Sequence, residues 1–130
     1  MIDEVIISDI NEVDKDITLF PKSTSRDHRP LLKGGDKVSI DYLLDLMLTR
    51  SDNTAANTLM DIADREDIND HIILPNGWRG SDVTRKFLDR LKEEKRYQKS
   101  AITVSTTRHL AELFFKIETG TLINTDITKR

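Results

Sequence analysis

The stretch from Leu43 to Met60 constrains this chain more than any other, because two apolar helical patterns meet there across a polar step, Ser51-Asp52-Asn53. Ile40, Leu43, Leu44 and Met47 recur at helical spacing before the step, and Ala55, Leu59 and Ile62 do so after it. The spacing therefore predicts two core-facing helices with the triplet pinned at a partly buried corner. Two readings of the corner follow from residue chemistry alone. Asp52 or Ser51 suits the N-cap of a helix beginning near Thr54. Alternatively, a hydroxyl, a carboxylate and an amide are presented together toward a cleft.

Before the corner, residues 1–20 carry two short apolar clusters, Val5-Ile6-Ile7 and Ile17-Thr18-Leu19-Phe20, separated by acidic residues. The first fits a strand or a helix tail, with its apolar residues at the edge of a core. Residues 21–37 have loop composition, including a Gly34-Gly35 turn that lacks the Lys-Ser/Thr of a phosphate loop. Ser39 is placed as N-cap of the first helix, which ends near Arg50, and Asp41 lies in its first turn.

After the corner, the second helix is expected to reach about Ala63, and a short third one to span Glu66 to Ile73 before the Pro75-Asn76-Gly77 turn. Trp78, the only tryptophan, is expected to seal a core edge. Residues 81–99 are dense in both charge signs and read as an exposed amphipathic helix with its Glu and Lys in solvent. Leu110, Leu113, Phe114 and Ile117 at i, i+3, i+4 and i+7 predict a last helix over Thr107 to Glu118, capped by Gly120, with His109 beside its apolar stripe.

The whole is expected to be mainly α, with four to five helices in a single helical domain or subdomain, 1–130. Residues 1–37 form an irregular N-terminal segment and residues 38–123 the helical core. A net charge of −3 leaves no excess of Lys and Arg for phosphates, so no nucleic-acid partner is expected. With no cysteine there is neither disulfide nor thiolate, and His28, His71 and His109 are too dispersed for a metal site, so neither metal nor cofactor is expected. No run approaches the roughly 20 apolar residues of a membrane span, and no membrane partner is expected.

The segment LLDLMLTRSDNTAANTLMD resembles the region of class A serine β-lactamases and penicillin-binding relatives in which an apolar helix precedes Ser-Asp-Asn and Thr-Ala-Ala-Asn follows. Gly77-Trp78 through Val83-Thr84-Arg85 is similar to the approach to that family's omega loop. Ser105-Thr106-Thr107, with its helix ending at Thr119-Gly120, is similar to the segment after the loop. The resemblance covers about residues 30 to 123.

By that resemblance Ser51 relays a proton toward the leaving nitrogen, Asn53 donates its amide to a substrate carbonyl, and Asp52 holds the turn. No serine of the chain is followed three residues later by lysine, and there is no Lys-Thr-Gly or Lys-Ser-Gly. The resemblance thus implies the all-α subdomain of a larger enzyme, whose α/β subdomain is a missing partner. A β-lactam or peptidoglycan-type small molecule is the implied substrate of that parent. No glutamate lies at residues 88–92, where the omega-loop base is expected; Glu93 and Glu94 are the nearest carboxylates.

The parent is expected to be periplasmic or extracellular, and the lack of a basic-plus-apolar signal at Met1 fits an internal segment. The alternative is a free-standing helical interaction module in which Ser51 to Asn53 only cap a helix. Lacking a nucleophile, the isolated chain is expected to leave a chromogenic β-lactam intact; turnover above the uncatalysed rate would overturn this expectation.

Overall fold

The computed structural model describes residues 4–12 and 29–122. The Ile17–Phe20 cluster and the tail after Leu122 lie outside the described residues. The chain is mainly α, and it divides into two compact units, residues 1–62 with 86–99 and residues 63–85 with 100–130. Among the described residues no helix is long and apolar enough to cross a membrane.

In the first unit, strand β1 (Glu4–Ile6) pairs antiparallel with β2 (Lys37–Ser39), Val5 facing Val38. The hairpin is closed by Ile7, whose N–H donates to Asp36 O and whose carbonyl accepts from Gly35 N, both at 2.8 Å. Gly35 has φ +89°, and Gly34 packs so tightly on Asp9 that a Cβ would fall 2.8 Å from the Asp9 Cα. Ile7 is fully buried with Leu32, Leu43, Leu46 and Ala55, which corrects the expectation that the 5–7 cluster only edges the core. The strand turns that side chain inward while Ile6 faces solvent.

Helix α1 (Ile40–Arg50) starts directly from β2, with Ser39 Oγ accepting from Tyr42 N at 3.1 Å. Helix α2 (Asn53–Ala63) buries Thr54, Ala55, Ala56, Asn57 and Thr58 along its first two turns. Small residues there let polar side chains be enclosed together with apolar ones.

The expectation of an exposed helix over residues 81–99 is overturned. Residues 86–99 form an irregular segment with single 3-10 turns at Arg90–Lys92 and Lys95–Tyr97, and Lys86 and Glu93 are buried in it. Side chains capture the backbone donors that a helix would need. Asn57 Oδ1 accepts from Phe87 N at 2.7 Å, Glu93 accepts from Lys86 N at 2.8 Å and from Glu94 N at 3.0 Å, and Asp89 accepts from Leu91 N at 2.9 Å.

In the second unit, α3 (Arg65–Ile68) runs into a π-helical turn at Asn69–Ile73. Asn69 bonds both backbone groups of Val83 at 2.8 Å, and buried Arg65 donates to Thr84 O at 2.7 Å. Helix α4 (Thr107–Thr119) is capped by Thr106 at its start and by left-handed Gly120 at its end. Its apolar stripe is largely uncovered: Leu110, Phe114 and Ile117 are exposed. The side of α4 that is engaged is polar. Trp78, 5% exposed, donates its indole N–H to Glu112 Oε2 at 2.7 Å and stacks on His109, with ring centroids 6.2 Å apart.

That indole bond, followed by the Arg108 guanidinium, holds the Glu112 carboxyl below the usual glutamate range. The ion favoured by folding is the carboxylate, so its contribution is complete above the ordinary glutamate pKa and fades as pH falls through the lowered one. Acid titration of the single tryptophan's fluorescence should show a step below about pH 4.3, the ordinary glutamate value. Glu112→Gln should remove that step; its persistence would assign the step to another group.

Candidate functional site

The corner between α1 and α2 is built from the inside outward. The side chain of Arg50, the last residue of α1, is buried, and its guanidinium donates to Asp52 Oδ2 at 2.9 Å and to the Arg29 carbonyl at 2.9 Å. The side chains of this ion pair are only 5% and 8% exposed. The other Asp52 oxygen accepts from Ala55 N at 2.9 Å, and the Asp52 carbonyl accepts from Ala56 N at 3.1 Å. Asp52 is thus the residue that caps α2, with a second oxygen held by a buried cation.

Ser51 stands outside this arrangement. Its backbone is left-handed, φ 54° and ψ 41°, the conformation in which helices ordinarily end on glycine. A serine there costs on the order of 1 kcal/mol of backbone strain. Its side chain is exposed, and Asn53, the first residue of α2, is half-buried. Among the described residues neither the Ser51 hydroxyl nor the Asn53 amide has a hydrogen-bond partner. The corner therefore holds one fully engaged carboxylate flanked by a free hydroxyl and a free amide.

Glu93 and Glu94 lie in the irregular segment of the same unit. Glu93 is 5% exposed, with its two oxygens on the N–H groups of Lys86 and Glu94. Glu94 is half-exposed and accepts from Arg96 Nε at 3.1 Å. The first is a structural acceptor inside the loop, and only the second keeps its carboxylate near solvent. Among the described residues no group of His, Asp and Glu could hold a metal.

Two further polar residues of α2 belong to this unit's architecture and were missed in the sequence. Asn57 sits one turn below Asn53, and Asp61 one turn below that, so the three share a face of α2. Asn57 is fully buried and bonds both the N–H and the C=O of Phe87, at 2.7 and 3.2 Å. Asp61 has both oxygens 2.6 Å from Lys86 Nζ, and Asn11 bridges the pair at 2.9 and 2.7 Å. The i, i+4, i+8 spacing of Asn53, Asn57 and Asp61 was the available signal. Arg50 has its ion-pair partner two residues on, but its carbonyl partner is 21 residues away.

Residues 12–130 match the profile of the Beta-lactamase enzyme family, and the chain belongs to that family. No curated protein and no solved structure matches it.

Urea denaturation separates the three corner side chains. Ser51→Gly should stabilise the chain by about 0.5–1 kcal/mol through relief of the left-handed strain, and Ser51→Ala should change stability by less than about 0.5 kcal/mol. Asp52→Ala should cost about 3–5 kcal/mol, because it strands a buried guanidinium and uncaps α2. A loss on Ser51→Ala comparable to that of Asp52→Ala would show the hydroxyl to be a cap.

Proposed function

We propose that these residues are the helical subdomain of a β-lactamase-like serine acyltransferase or hydrolase acting on β-lactams or peptidoglycan-like peptides. Residues 38–123 are its helical core. In the parent, which works outside the cytoplasm, the nucleophile of Ser-x-x-Lys lies upstream of this segment and the Lys-Thr-Gly strand lies downstream, on the α/β subdomain. Ser51 passes a proton toward the leaving nitrogen, and Asn53 donates its amide to a carbonyl of the bound substrate.

The observation that carries this reading is the division of labour at the corner. Asp52 alone caps the helix, while the hydroxyl and amide beside it are left unbonded, one of them at a strained residue. A pure capping motif has no use for either group. The uncovered apolar side chains of α4, with Phe114 at 67% exposure, are further support, since a free-standing module would bury such a stripe. With Glu93 enclosed by backbone donors and Glu94 paired with Arg96, neither carboxylate is held as a base for water, which favours acylation over rapid turnover.

The test is the full-length protein. Its gene should encode Ser-x-x-Lys upstream of this segment and Lys-Thr-Gly downstream, and a labelled penicillin should acylate it. Ser51→Ala should slow that acylation by about a hundredfold, the usual scale for losing a proton-transfer group. Unchanged acylation in Ser51→Ala and Asn53→Ala would overturn both assigned roles.

A further inference from the structure

The second unit holds a nucleophilic side chain of its own, Ser81. It follows Gly80, whose φ of +93° turns the chain after Trp78, and its neighbour Asp82 exchanges both backbone hydrogen bonds with Val104, at 3.0 and 3.1 Å. That bridge brings residue 81 beside residue 105 and the first turn of α4. Ser81 Oγ lies 2.7 Å from His109 Nδ1 and 2.9 Å from Ser105 Oγ.

The imidazole is held from two sides. Its backbone N–H donates to the capping Thr106 hydroxyl at 3.1 Å, and its ring stacks at 23° on Trp78, whose indole is fixed by Glu112. Glu112 lies one turn beyond His109 on α4, and its ionised carboxylate favours a proton taken up on the ring. With the Ser81 hydroxyl donating to Nδ1, Ser105 is left to donate to Ser81 Oγ, where charge develops as the proton leaves. A nucleophile on a base that a third group orients is the arrangement acyl transfer needs.

Ser81 also lines a cavity of about 390 Å³, together with the apolar side chains of Ile73, Leu74 and Trp78. Two carboxylates on that lining, Asp70 and Asp82, outnumber its one cation, Arg79, and disfavour an anionic occupant. The geometry points to a second acyl-transfer site, with Ser81 as nucleophile, His109 as general base and the cavity as the seat of an uncharged ester with a small apolar acyl group. Ser81 Oγ bonds to the acyl carbon, its proton passes to His109 Nδ1, and the ester C–O bond breaks as the leaving alcohol takes that proton. Water then attacks the acyl-serine, giving a proton to His109 that returns to Ser81 as the acid is released. The dyad activates the nucleophile and does nothing for the tetrahedral oxygen, so its substrates are activated esters and not amides or β-lactams. The site is independent of the corner between α1 and α2.

A fluorophosphonate, which traps an activated serine as its phosphonyl ester with loss of fluoride, tests this on the full-length protein. It should label the tryptic peptide 80–85, in which Ser81 is the one serine. Ser81→Ala should abolish that label. His109→Phe keeps an aromatic ring against Trp78 without a base and should slow labelling about a hundredfold, with unchanged tryptophan fluorescence showing that the fold is kept. p-Nitrophenyl butyrate should be cleaved about tenfold faster than the p-nitrophenyl half-ester of succinate, and equal rates would overturn the substrate class. Label confined to other peptides of the wild type, or labelling of peptide 80–85 at an undiminished rate in His109→Phe, overturns the dyad.

Discussion

The ion pair between Arg50 and Asp52 is the interaction on which the corner depends. A buried pair of this kind gives little net stability against an apolar substitute, because both ions lose their water. Its value lies in direction. Arg50 ties the end of α1 to the backbone carbonyls of Arg29 and Pro30, and Asp52 ties the start of α2 to the same guanidinium. One cation thereby sets where α1 stops and how α2 begins, and a single residue, Ser51, separates Arg50 from Asp52 and makes the turn. The left-handed backbone of Ser51 follows from that shortness.

The same logic repeats along α2, with polar atoms in place of apolar packing. Asn57 is enclosed and Asp61 lies at the exposed edge, and each has its partners: Phe87 backbone for one, Lys86 and Asn11 for the other. Satisfied polar networks specify geometry because an alternative register would leave a donor or acceptor unpaired, at about 1–3 kcal/mol each. Residues 86–94 therefore take one path over the helix without any regular structure of their own. Lys86 is the clearest case, since its ammonium is buried only because a carboxylate and an amide oxygen meet it.

How much of this the sequence announced depends on whether the signal was local. The caps Ser39 and Gly120 were legible, because each acts within four residues of itself. The corner triplet was legible as a motif, though which of Ser51 and Asp52 caps was left open. The charged run at 81–99 was misread because its composition fits a solvated helix, while its conformation is set by Asn57, Asp61 and Asn11, which are distant in sequence. The α4 stripe predicted a helix correctly, but periodicity says only that a face is apolar, not that anything within reach covers it.

Why a serine occupies position 51 is the remaining question, and energetics narrows the answer. Glycine would relieve the left-handed strain, and asparagine, the other residue tolerated there, would add a side chain able to bond its own turn. Serine does neither: its hydroxyl is exposed and finds no acceptor or donor among the described residues. Helix capping cannot be the reason, since both Asp52 oxygens and its carbonyl already serve the two helix ends. A strained residue with an idle hydroxyl, next to an idle amide at the start of α2, is the observation on which the proposed site for an external polar ligand rests.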